Sequence, residues 1–158
     1  MLNKQTFKVI FLVCFLAACE PKTGAEIGTE TAVKITEVKI SDSWVRENAP
    51  GQSVGAAYMT LNSPQDSTLV YVETPAAGSV EIHSMSMENN VMKMRMLEEL
   101  PLKAGKPEKL APGGFHLMLL DLKSPLKAGE NAAFKLCFKD KAGEITHQNV
   151  MLPIKSAD

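Results

Sequence analysis

The sequence predicts an all-β domain, a Greek-key sandwich or barrel of about eight strands, on three observations. Runs of six to eleven residues alternate apolar and polar side chains, turn-forming clusters separate them, and no apolar pattern of helical period persists over helix length. About 120 residues divided in this way match the size of a single β-sandwich.

The runs cover residues 35–45, 55–61, 68–73, 79–85, 91–97, 115–121, 131–139 and 144–152. Ala49-Pro50-Gly51, Asn62-Ser63-Pro64, Pro75-Ala76-Ala77-Gly78, Glu88-Asn89-Asn90, Pro112-Gly113-Gly114, Ala128-Gly129 and Asp140-Lys141-Ala142-Gly143 lie between them. Each combines residues that fix a turn dihedral, tolerate positive φ or hydrogen-bond their own backbone. Period 2 then assigns faces. Phe134, Leu136 and Phe138 share one face and are expected in the core, with Lys135, Cys137 and Lys139 opposite. Met92, Met94 and Met96 fall together, as do His116 and Met118.

Composition sets the outer limits. The 158 residues are 45% hydrophobic, 22% charged and 6% aromatic, the balance of one ordinary globular domain. Seventeen basic side chains against eighteen acidic ones give a net charge of -1, so nothing attracts nucleic acid. Three cysteines cannot build a disulfide framework.

The N-terminus reads as an address rather than as part of the fold. Lys4 and Lys8 precede the ten-residue apolar run 9–18, the layout of a secretory signal and too short to span a bilayer. Leu16-Ala17-Ala18-Cys19 resembles the lipobox of bacterial lipoproteins, which implies cleavage after residue 18 and lipidation of Cys19. The mature chain then carries fifteen basic and eighteen acidic side chains, a net charge of -3, and Cys137 is its remaining free thiol. Residues 20–34 carry Pro and Gly without sustained period and read as a tether, averaging roughly 20 to 23 Å end to end. The expected organisation is a signal peptide over 1–18, a lipidated cysteine and tether over 19–34, and a domain over 35–155, held at a bacterial membrane on its periplasmic side.

Nine methionines stand out, because Met85, Met87, Met92, Met94, Met96 and Met118 crowd into 34 residues that also hold His116, with His83 just outside. Taken singly, each reads as adaptable core filling, and for Met59 and Met151 that reading is kept. Taken together, imidazole and thioether select Cu(I), whereas zinc prefers thiolate, imidazole or carboxylate and the hard cations require oxygen. Thioether sulfur has no proton to lose and forms no disulfide, so it holds Cu(I) where a thiolate would be oxidised.

These residues carry a resemblance. His83, ten residues, Met94, twenty-one residues and His116-Leu117-Met118 match the motif of the periplasmic copper chaperones, the PCuAC family. Asp42-Ser43-Trp44-Val45-Arg46, Val80-Glu81-Ile82-His83 and Pro112-Gly113-Gly114-Phe115 look like further family signatures, so the resemblance spans nearly all of 35–153. It implies a cupredoxin-like sandwich with one exposed Cu(I) per chain, held by His83, Met94, His116 and Met118. It further implies a monomeric carrier without catalysis, whose partner is a copper-accepting domain, either the binuclear copper centre of cytochrome c oxidase or another copper chaperone. Met85 and Met87 fall on the side of His83 as a surrounding shell or docking rim, and Met92 and Met96 as rim or packing. His147 is expected to be a structural strand histidine.

Two rival readings stand beside this one. A copper-sequestering or resistance lipoprotein would have the same site and no recipient. A blue-copper electron carrier would need two His, one Cys and a Met, for which Cys137, His147 and Met151 offer candidates, although the turn 140–143 places the first two on separate strands of a hairpin.

Overall fold

The computed structural model describes residues 37–156. The signal peptide, Cys19 and the tether expected over 1–34 lie outside the described residues. Ten strands and no helix are found among those described: β1 Lys39–Arg46, β2 Gly55–Asn62, β3 Ser67–Glu73, β4 Ser79–Glu88, β5 Val91–Leu97, β6 Leu100–Leu102, β7 Glu108–Leu110, β8 His116–Leu120, β9 Asn131–Asp140 and β10 Ile145–Lys155.

Hydrogen bonding joins them in the order β5-β4-β8-β2-β1-β10-β9-β3-β6, with β7 attached to β2. All pairings are antiparallel except β1 with β10. The sheet is open, with β5 at one end of the path and β6 at the other. The inward residues of both halves form one core: Val45, Met59 and Leu61, Leu69 and Val72, Ile82, Leu117 and Leu119, Phe134, Leu136 and Phe138, and Leu152. Removing a Leu or Phe side chain from water contributes about 1.5 to 3 kcal/mol, so this shared interior rather than the ladder alone holds the fold together.

All eight expected strands are present, with ends displaced by a few residues. The first run begins at Lys39 rather than 35, and the last continues through Pro153 to Lys155. Pro153 pairs with Asn131 on β9, and β1 reaches β10 only from Ile154 onward, so the missing proline N–H falls where β10 has a neighbour on one side. The two additional strands, β6 and β7, have three residues each, too few for alternation to declare itself.

Expected core membership holds for Phe134, Leu136, Phe138 and Met59, all buried. Met151 is different: at 59% exposure it faces solvent and fills no core.

Candidate metal centre

The site is built on three adjacent strands, β8, β4 and β5. Directly opposed residues of antiparallel strands project to the same face, as do residues two apart along a strand. His83 lies opposite His116 on β8 and opposite Met96 on β5. One step along the strands, Met118 lies opposite Glu81. One step the other way, Met85 lies opposite Met94, and beyond them Met87 opposite Met92. His83, His116, Met94, Met118 and the four remaining methionines of the cluster therefore occupy one face. Ile82, Leu97, Leu117 and Leu119 point from the other face toward the core.

The two imidazoles are neighbours, with ring centroids 5.7 Å apart at an interplanar angle of 57°. Each has one nitrogen committed elsewhere. The Gly114 carbonyl accepts from His116 Nδ1 at 3.1 Å, and since a carbonyl cannot donate, the proton sits on Nδ1 and the lone pair on Nε2. His83 Nε2 meets Glu81 Oε2 at 2.7 Å, which assigns the proton to Nε2 and leaves the lone pair on Nδ1. That Nδ1 is buried and has no hydrogen-bond partner. A buried acceptor left unsatisfied costs about 1 to 3 kcal/mol, and a metal ion is the kind of partner that would satisfy it.

The local sequence explains the placement. Gly113 adopts φ of +82°, which turns the chain after Pro112, and Gly114 N closes the turn on Ala111 O at 3.0 Å. The Gly114 carbonyl also accepts from Met85 N at 3.1 Å, so one peptide group fixes both the β4 backbone and the His116 ring. Tyr58 lies 6.5 Å from His116, and Trp44 stacks on Tyr58 at 4.6 Å, both centroid to centroid. This row of rings continues across β1, β2, β8 and β4. His116 is buried and His83 nearly so, whereas Met94 is 48% exposed. His116 thus lies deepest and Met94 at the rim, with His83 and Met118 between them, so the four side chains are not equally exposed.

The register separates the two sulfurs. Met118 and Met94 flank the histidine pair from opposite ends of β4, and Met96, not Met94, directly faces His83. Met92 and Met96, exposed by 56% and 59%, are not packing residues. Sequence reasoning missed Glu81 as the partner of His83, although its position two residues earlier on the same strand puts it on the same face. It also missed the Gly114 carbonyl, a backbone group that no side-chain pattern reveals. Among the described residues no three His, Cys, Asp or Glu side chains are grouped to hold a metal.

Cys137 forms a separate cluster. It is fully buried beneath exposed His147 and Tyr71, with Sγ 2.8 Å from His147 Nδ1. Tyr71 bonds the same sulfur, which pushes the phenol above its usual pKa. His147 is accordingly a paired histidine rather than an isolated one. The blue-copper set is not assembled here: Cys137 and His147 face each other across the β9–β10 hairpin, Met151 lies four residues further on opposite Ala133, and the other histidines stand on β4 and β8.

The chain matches the family model described as "Putative lipoprotein LpqE-like" over residues 38–153. "Putative lipoprotein Lxx21020" of Leifsonia xyli subsp. xyli (strain CTCB07) is 33% identical over 106 residues, 65% of this chain and 63% of that protein, so the match spans less than two thirds of that relative. Among solved structures, apo-DR1885 from Deinococcus radiodurans is similar at 28% identity and a TM-score of 0.56, covering 92% of this chain and 97% of that one. The apo PCuAC domain from PmoF1 is similar at 25% identity and a TM-score of 0.62, covering 77% and 96%. The copper-bound PCuAC domain from PmoF2, at 22% identity, a TM-score of 0.62 and coverage of 77% and 95%, shares the fold. With a cupredoxin-like β fold and a family match across nearly all of its described residues, the chain belongs to the LpqE-like family, of PCuAC type.

Proposed function

We propose that this protein is a Cu(I) carrier of the periplasmic face, tethered through a lipid on Cys19, which holds one ion between His83 and His116 with Met94 and Met118 completing the set. The observation that carries this reading is the buried, unpartnered Nδ1 of His83 beside the His116 ring. Each imidazole has one nitrogen hydrogen-bonded within the protein and the other left for a metal, which is how a second hydrogen-bond partner prepares a histidine ligand. The two thioethers supply the softness that favours Cu(I) over zinc. Membership of a PCuAC-type family supports copper as the ion carried.

The arrangement suits handover. Met94 sits on the edge-strand hairpin and is half exposed, so a donor from an acceptor protein displaces it first, and the buried histidines release last. No bond within the protein is made or broken in this exchange, and no catalytic role is assigned. The acceptor is a copper-binding domain, the binuclear centre of cytochrome c oxidase or another chaperone.

The test is a competition titration under reducing conditions, in which the His83→Ala/His116→Ala variant loses the tightly held ion. Transfer is tested by mixing loaded protein with an apo acceptor domain. If the ion is bound but never passed on, sequestration is the function.

A further inference from the structure

Beyond the histidine pair, the β4–β5 hairpin runs on as a two-faced ribbon. Asn89 and Asn90, at φ of +52° and +61°, make the tight turn favoured between two twisted strands. One face of the ribbon is polar apart from Val91 at the turn: Glu88 bonds Lys93 at 2.9 Å and Arg95 at 2.8 Å, with Ser84 and Ser86 beside them. The other face carries Met85, Met87, Met92 and Met94 as two directly opposed pairs, Met85 with Met94 and Met87 with Met92. Met87 and Met92, at the tip, are 63% and 56% exposed. Core packing does not account for side chains that touch so little, and β-branched or charged residues would suit an exposed edge strand better.

From this geometry we infer a second soft-cation site, made of thioethers alone, at the hairpin tip: Met87, Met92 and Met85, with Cu(I) or Ag(I) as its ligand class. Directly opposed Cβ atoms stand about 4.5 to 5.5 Å apart. Three unbranched side chains with free torsions close on one ion from that spacing without moving the backbone. Sulfur-only donation excludes hard cations and disfavours zinc. The ion pairs on the reverse face stiffen the ribbon and keep the sulfurs on one side. Met94 stands next to this trio and also belongs to the proposed histidine site. An ion captured at the tip therefore moves inward by exchanging one metal–sulfur bond for another, with no change of oxidation state and no proton transferred. The tip site does not depend on His83 or His116 and stands or falls separately from the proposed carrier site.

The experiment titrates the mature protein with Ag(I), and with Cu(I) under reducing conditions, reading bound ions by native mass spectrometry and the methionine methyl groups by NMR. Wild type is expected to bind two ions at excess metal, with the Met87 and Met92 methyl signals shifting as the second one enters. Met87→Leu/Met92→Leu is expected to bind one. His83→Ala/His116→Ala is expected to keep one, with those same methyl signals shifted. A wild type that stops at a single ion with the Met87 and Met92 signals unmoved, or a double leucine variant that still binds two, overturns the tip site. A histidine variant that binds as many ions as wild type overturns the carrier site and leaves the tip site standing.

Discussion

Glu81 offers the sharpest way to probe the histidine pair, because it touches a proposed ligand and is not one itself. Its carboxylate receives His83 Nε2 at 2.7 Å, a charge-assisted bond that fixes the ring and keeps the lone pair on Nδ1. Loss of such a partner typically lowers metal affinity about 10- to 100-fold, or about 1.4 to 2.7 kcal/mol at 25 °C. Glu81 is partly exposed, with 34% of its side chain accessible, so water replaces some of the lost acceptor and the effect belongs at the lower end. Glu81→Ala is therefore expected to weaken Cu(I) binding about tenfold. Glu81→Gln, which keeps an acceptor oxygen without the charge, is expected to weaken it less. The assay is competition against a chromophoric Cu(I) chelator at pH 7.5, with thermal unfolding of the apo protein as the control for folding. Unchanged affinity in Glu81→Ala, with folding intact, would refute the claim that His83 binds through a ring oriented by this carboxylate.

Met94→Leu is expected to lower Cu(I) affinity while changing apo stability by no more than about 0.5 kcal/mol, because the side chain is half exposed; chemical denaturation and the same competition assay read the two effects separately. Leu117→Ala, on the core side of the strand between His116 and Met118, should destabilise the fold by about 2 to 5 kcal/mol, measured by denaturant titration. The Lys93 hydrogen bond, helped by Arg95, holds the Glu88 carboxyl below its ordinary 4.5, so its support of the hairpin is present above that pH and is lost as pH falls through the lowered value. Amide exchange in β5 should accordingly be faster in Glu88→Gln than in wild type at pH 7, with the difference shrinking in acid and in high salt. Cys137→Ser should leave copper stoichiometry unchanged, and Cu(II)-treated wild type should show no intense thiolate band in the visible spectrum.

The sheet was legible because its strands alternate: in β9, Phe134, Leu136 and Phe138 announce the buried face with every second residue. The methionine face of β4 and β5 was legible for the same reason, since Met92, Met94 and Met96 keep period 2 through the whole strand. What alternation cannot supply is register. Nothing in the spacing says that His83 faces Met96 rather than Met94, or that Met118 and Met94 lie at opposite ends of the histidine pair. Those facts come from the Asn89-Asn90 turn and the β4–β8 pairing. Burial of Cys137 was equally hidden, because it occupies the outward face of β9 and is covered by His147 and Tyr71 from neighbouring strands. The tertiary cover, not the local pattern, removes it from water.

X-ray absorption at the copper edge, on mature protein loaded with one equivalent of Cu(I), tests the central claim most directly. Nitrogen and sulfur are expected together around the metal, with the nitrogen contribution lost in His83→Ala/His116→Ala. A shell of oxygen or of sulfur alone in the wild type, or one that the histidine substitutions leave unaltered, would contradict it.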